Sequence, residues 1–393
     1  MASVATARTE PDWLTERRRK GASLASELGL PDQKQKGWEF TDLEGLDLDS
    51  YAPAPGSVAI EDGGAAEAGA IVMPLEAALA DRSEALQEHL GSLVSIEDPF
   101  VARNDAGWES GMLVYVPGGV RVPEPIEISV TQNTAASTLN WRTLIVLEEG
   151  AEAEVWETYD SDDPGLDALL NSVVELRVGD NAKLRYLCRQ EISEQSWIFA
   201  TQRAEVGRDG SLDWTALGFG SARGKVRMET KLAGQGSEAR VTGASAGGGK
   251  QHLDFDTLQE HAAPNTFSDL AFRGVLADRG TAVWRGMIRV DPGAQQTDAF
   301  QESRNLLLST KAHADAIPGL EIEANDVRCT HAAAVAQIDR EQLYYLRARG
   351  LNEEAARGLI IEAFLEALVE RLGEGRLRDE VSAALEKRLG EIL

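Results

Sequence analysis

The chain has 393 residues, and 65 acidic against 39 basic side chains give it a formal net charge of −26. A chain this acidic repels phosphate backbones and anionic bilayers, which argues against unaided binding to nucleic acid or a membrane. With 43% hydrophobic and 26% charged residues its composition is globular, not disordered. Two cysteines, Cys188 and Cys329, make no disulfide framework and point to a reducing, cytoplasmic setting. Met1 to Glu10 holds no apolar stretch of the kind that marks a secretory leader, and no apolar run is long enough to span a bilayer.

Residues 1–100 read as helix and loop. Pro11 to Leu28 places Trp13, Leu14, Leu24 and Leu28 among basic residues, an amphipathic pattern. Pro74 to Leu93 repeats it with Leu75, Leu79, Leu86 and Leu90. The Gly- and Ala-rich stretch Gly63 to Ala70 reads as a linker.

Residues 101–338 change period. Apolar and polar residues alternate in short runs such as Ile126 to Val130, Val173 to Val178 and Leu184 to Leu187, bounded by Gly, Asn or Asp. Turn pairs recur just before these runs: Gly150-Ala151, Asn181-Ala182, Gly210-Ser211 and Gly236-Ser237, at spacings of 31, 29 and 26 residues. Such a quasi-period fits stacked coils, each burying its side-chain ladder only against a neighbour. A β-sandwich also repeats short strands, so spacing alone leaves solenoid and sandwich both open.

Residues 339–393 return to helix. Asp339 and Asn352 are placed as N-caps, with Glu353 and Glu354 in the first turn of the second helix. Gly373 and Gly375 end that helix and Leu377 to Leu393 forms a third. The second helix carries Leu359, Ile360, Ile361, Phe364, Leu365, Leu368, Val369 and Leu372, more than one apolar stripe, so it needs packing on two sides. Either the β-region and its sister helices cover both sides, or a partner protein covers one. The segment is close to neutral on an otherwise acidic chain.

Few constellations carry chemistry. Gly247-Gly248-Gly249-Lys250 lacks the upstream Gly of a phosphate-binding loop and has Gln251 where Ser or Thr is needed. The chain therefore binds no nucleotide directly, and any ATP chemistry belongs to another subunit. No Gly-x-Ser-x-Gly elbow occurs, and five scattered histidines build no triad. The one pointed cluster is Cys329-Thr330-His331. On a strand, residues i and i+2 share a face, so thiol and imidazole stand side by side, and both suit iron or zinc. Two ligands do not close a site, so metal binding there needs donors from distant residues or another chain. Otherwise the pair is a buried cysteine beside an interface histidine. Cys188 shares a strand face with Leu184 and Tyr186 and reads as a small core residue.

The stretch Asp326 to Asp339 (DVRCTHAAAVAQID), continuing through Glu341 to Gly350, resembles the C-terminal signature of the SufB/SufD family of iron–sulfur cluster assembly proteins. Glu260 to Thr266, Arg273 to Val275, Val290 to Asp298 and Arg304 to Leu308 are similar too. So are Tyr115 to Val120 and Trp38 to Leu43. The SufD branch fits best by length and by the Gln-Ile-Asp after the Cys-x-His; Ala333 and Ala336 stand where that branch usually has Gly. The resemblance implies a mainly β protein, a right-handed parallel β-helix core over 101–338 with helical N- and C-terminal segments. It implies a non-catalytic scaffold in a complex with a SufB-like paralogue, met through the β-helix, and the SufC ATPase, met through 339–393. It implies a transient iron–sulfur cluster shared with the partner subunit, with His331 and Cys329 near the shared interface. A SufB-like scaffold that carries the cluster alone, a homodimer of the isolated chain, and a carbohydrate-active solenoid enzyme are the competing readings.

Overall fold

Alternation along each strand decides the architecture. In Trp197–Val206, Ile198, Ala200, Gln202, Ala204 and Val206 are all buried. The next strand in the same sheet, Arg223–Leu232, pairs with it in parallel, residue for residue, so like positions stack in columns. The computed structural model describes residues 10–393, so the leader reading of Met1 to Glu10 lies, apart from Glu10, outside the described residues. It is mostly β, 43% strand and 24% helix, with a parallel β-solenoid of about eight turns and helices at both termini.

Each coil contributes two strands. The first coil holds Ser110–Val116 and Ile126–Gln132, the second Ser137–Leu147 and Glu152–Ser161. The third holds Leu169–Val178 and Lys183–Glu191, and the fourth Trp197–Val206 and Ser211–Gly218. The stack ends on Asp298–Leu307 and then on the eighth coil, His313–Ile322 with Arg328–Gln337. First strands form a ten-stranded sheet and second strands a nine-stranded sheet, and the columns between them form one continuous core.

One corner keeps the coils in step. Gly150, Asn181, Asp209, Gly236, Asn265 and Gln296 all have positive φ and recur every 27 to 31 residues. Each donates its N–H across to the next coil, as in Gly150 to Asp180, Asn181 to Arg208 and Asn265 to Gln295. Gly, Asn and Asp tolerate this left-handed turn best, which explains the turn signals in the sequence. In the third of them Asp209, not Gly210, takes the left-handed conformation.

The N-terminal segment differs from its sequence reading in two places. Pro74 to Leu93 is not one helix but two, Leu75–Asp81 and Ser83–His89, separated by a break at Arg82 (φ −140°). The linker stretch holds a short helix, Ala65–Ala68, and residues 52–74 add three short strands to the solenoid. The amphipathic helix is present as Asp12–Leu28. An ion network pins this segment: the wholly buried Arg142 contacts the equally buried Asp105 and, at 3.0 Å, Glu175, while the partly exposed Arg17 reaches Asp105 at 2.6 Å. Trp38 packs on Phe100 and Phe199, and Arg285 holds Glu39 at 2.7 Å, so Trp38 to Leu43 is strapped to the outside of the ten-stranded sheet.

At the other terminus, Asp339 accepts from Glu341 N–H and caps Arg340–Ala348, and Asn352 accepts from Ala355 N–H and caps Glu353–Val369. A third helix runs over Arg376–Ile392. The second and third helices lie on the outer face of the nine-stranded sheet. Ile361, Leu365, Leu368, Val381, Leu385 and Leu389 pack there against Trp156, Leu187, Leu217, Phe219 and Val275. The covering explains why this sheet's outer face is apolar. Arg388, itself buried, fastens the last helix by donating to Ala246 O, Gln251 Oε1 and Glu194.

Candidate functional site

Cys329 and His331 lie on Arg328–Gln337, the last strand of the nine-stranded sheet. They stack in register on Ala299 and Gln301, two buried residues of the preceding coil. The pair therefore belongs to the inward column, on the same face as expected from i, i+2 spacing. Among the described residues no further coil lies over it. His331 is consequently exposed, whereas Cys329 is half-buried against Val290, Ala294, Ala299 and Ala324.

The same open coil presents an apolar rim. Leu320 and Ile322 on its first strand are 37% and 41% exposed, and Val335 beside the motif is 42% exposed. Both strands of this coil are sheet edges, with unpaired backbone groups along one side. In a sequence these residues look like any other inward column. Only the chain's stopping the stack here turns them outward, which is why the rim escaped pattern reading.

The chemistry of the pair is that of an incomplete donor set. Partial burial, then the Asp298 carboxylate, push the Cys329 thiol up from its ordinary range. Among the described residues no cation counters this shift. Among the described residues no group of three or more His, Cys, Asp or Glu side chains is placed to hold a metal ion. A thiol and an imidazole are the right donors for iron, and two are too few to hold a cluster. Gln301, directly below His331 in register, donates to Gly286 O at 3.2 Å and Gly319 O at 3.1 Å, tying the last coil to the one beneath.

The other singled-out residues go elsewhere. His261 is wholly buried, its ring bonded to Thr266 Oγ1 (2.7 Å) and Ser268 Oγ (2.8 Å), and burial lowers it to about 4. His313 pairs with Asp315 at 3.1 Å on the outer face. Gly248 to Lys250 form a corner of the solenoid, where Gly249 donates to Asp278 at 3.2 Å. Cys188 points into the core beside Tyr186, Gln202 and Glu157, and burial, then the Glu157 charge, push its thiol up to about 12.

A second surface lies 10–30 residues further along the chain. Arg340–Ala348 buries none of its side chains, and Tyr344 and Tyr345 are exposed. Between it, Ile338 and the first turns of Glu353–Val369 runs an apolar groove of about 830 Å³, lined by Leu346, Leu359, Ile360 and Phe364. The over-apolar helix thus has one side on the β-sheet and the other on a groove.

The fold is thus a parallel β-solenoid whose last coil is uncovered and carries a thiol and an imidazole on one face. The family model for the SUF system FeS cluster assembly SufBD core domain matches residues 130–364. The iron–sulfur cluster assembly protein SufD of Bacillus subtilis is 31% identical over 295 residues, covering 75% of this chain and 67% of that one. SufBD family proteins of Staphylococcus epidermidis and Staphylococcus haemolyticus are each 28% identical over 307 residues, covering 78% of this chain. The aligned region takes in 66% of the length of these Staphylococcus relatives. The chain belongs to the SufB/SufD family of the SUF iron–sulfur cluster assembly system, and within it is most like SufD.

Proposed function

We propose that this chain is a SufD-type scaffold subunit that meets a SufB-like paralogue at the open end of its solenoid. The observation that carries the reading is the uncovered eighth coil. Its two edge strands, its exposed Leu320, Ile322 and Val335, and the Cys329–His331 pair all lie on one surface. An exposed edge with an apolar lining invites another strand to pair with it. A partner seated there would supply the donors missing from the thiol–imidazole pair. The nascent iron–sulfur cluster, as cargo, would then form between the two subunits and pass on when the interface rearranges.

The SufC ATPase is assigned to the groove between the first two C-terminal helices, in the 339–393 segment. Tyr344, Tyr345 and Leu359 are the large side chains exposed around it, and aromatic anchors in an apolar groove suit a protein partner. ATP hydrolysis belongs to that partner, and this chain is not itself the catalyst. The two cysteines and the acidic surface suit a cytoplasmic setting.

Co-expression with SufB and SufC tests this directly. A stable three-component complex is expected. Tyr345→Ala with Leu359→Ala should release SufC while SufB stays bound. Leu320→Asp should release SufB while SufC stays bound. His331→Ala should leave the complex assembled but lower its iron and sulfide content. Failure of the wild-type chain to co-purify with either protein overturns the reading. Unchanged iron and sulfide in the His331 variant removes that residue from the site. Stable, stoichiometric cluster absorption in the isolated chain would favour the self-sufficient, SufB-like reading.

A further inference from the structure

The outer face of the ten-stranded sheet carries a column of charge that changes sign coil by coil. Arg177, Glu205, Lys231, Glu260, Arg289 and Glu321 lie in register on the first strands of the third to eighth coils. No two neighbours in the column share a sign. Paired strands stand about 4.8 Å apart, so like charges in register would repel along the stack.

Ion pairs run along this column. Arg177 and Lys231 hold Glu205 from either side, at 3.2 and 3.7 Å. Arg289 holds Glu260 from the following coil at 2.7 Å. Each carboxylate inside the column therefore meets a cation on the coil beyond it. The other sheet follows the same rule: Glu154, Arg185, Asp213, Arg240 and Asp269 alternate in register. Glu321 is the last member of its column and is exposed on the uncovered coil. Arg289 beneath it is engaged by Glu260 and Asp291. The place that a cation takes over every earlier carboxylate lies, for Glu321, beyond the open edge of the sheet.

We propose that the strand which pairs with the open edge of His313–Ile322 carries a Lys or Arg directly opposite Glu321, and that this contact selects the partner and fixes its register. The inference rests on the assembly reading above and adds the chemistry of recognition to it. Only every second residue of the edge strand faces outward, so the smallest slide that keeps the faces is two residues. Such a slide moves the cation from Glu321 onto Gly319 or off the strand. Charge pairs of this kind set specificity and association rate more than affinity. The occupant is a different chain with a basic edge strand. His313–Ile322 itself holds no Lys or Arg. Glu323 and Asp326, close to Glu321, are exposed as well, so two copies of this chain would bring together ends of the same sign.

The association rate of the full chain with purified SufB, at low and at high salt, tests the proposal. Glu321→Arg should slow association on the order of tenfold at low salt, and the difference should close as salt is raised. Glu323→Arg makes the same change in net charge off the column and should slow it far less. Equal effects of the two variants would reduce the contact to general attraction and overturn the proposal, as would an unchanged rate in Glu321→Arg. Glu321→Gln, which sets no second cation beside Arg289, should fall between wild type and Glu321→Arg; it keeps the test open if the reversal disturbs the last coil. A second copy could answer Glu321 only with its Arg328 on the other edge strand. If the isolated chain dimerises, and Arg328→Glu restores a dimer lost in Glu321→Arg, the occupant is a second copy and the proposal fails. A wild-type chain that does not bind SufB sinks the assembly reading and this one together, whereas binding indifferent to Glu321 sinks this one alone.

Discussion

The two cysteines share an inward strand face in unlike surroundings. Cys188 and Cys329 both face inward from the nine-stranded sheet, five coils apart and in neighbouring columns: that of Cys329 passes through Leu184, and that of Cys188 ends on Ala333. Above Cys188 more coils are stacked, and the thiol is sealed among Tyr186, Gln202 and Glu157. Above Cys329 there are none, and its neighbour two residues on, His331, faces solvent. The same contrast separates His261, saturated by two hydroxyls in the core, from His331. In a solenoid, residue type and strand face do not decide whether a side chain is structural or available. The presence of the next coil does.

Several experiments bear on that contrast, the largest effect being in thiol chemistry. A thiol held at about 12 has roughly a thousandfold less thiolate at pH 8 than an unperturbed one. Ellman's reagent should therefore titrate Cys329 in the native chain and Cys188 only after denaturation. Two equally fast thiols would erase the distinction.

Next in size is the ion network of the closed half. Arg142→Ala leaves Asp105 and Glu175 buried with fewer partners, and breaking such a network costs about 3–5 kcal/mol. Urea unfolding should show that loss; a change below about 1 kcal/mol would mean that the N-terminal segment is held by its apolar contacts alone.

His261 gives a pH signature. Its folded-state value is lowered to about 4, so the unfolded chain binds the proton first. The stability it contributes is fully present above about pH 6.5 and is lost as pH falls towards 4, by roughly 3 kcal/mol. His261→Gln should flatten the stability profile across that window, and a profile equally steep in the variant would locate the effect elsewhere.

The smallest effect belongs to the open end. His331→Ala touches no buried network, so stability should change by no more than about 0.5 kcal/mol. A larger loss would make His331 a structural residue and weaken its case as a ligand.

Much of this was legible beforehand. The turn pairs marked the corner column because only a few residue types accept a left-handed turn. The alternation of Lys183 to Arg189 placed Cys188 correctly with Leu184 and Tyr186, on a strand that runs two residues further, to Glu191. The caps Asp339 and Asn352 are where their short polar side chains suggest. The break at Arg82 was not visible, because Leu75, Leu79, Leu86 and Leu90 keep a helical period across it. Nor were the strands at 52–74, whose pairing partners lie far along the chain, at 112–115, 127–131 and 137–138. The Cys-x-His motif announced its donor types and shared face. It carried no information about the uncovered coil, since periodic sequence describes the interior of a stack and not its end.

The corner column has a consequence for how such a chain can change. Each left-handed turn residue hands its N–H only to the adjacent coil, so every coil carries its own spacer and specifies its own rise. Length is then a modular property. The C-terminal helices set the limit: they lie across Trp156, Leu187, Leu217 and Val275 of several coils, so a coil can be added or removed only together with the face that they cover.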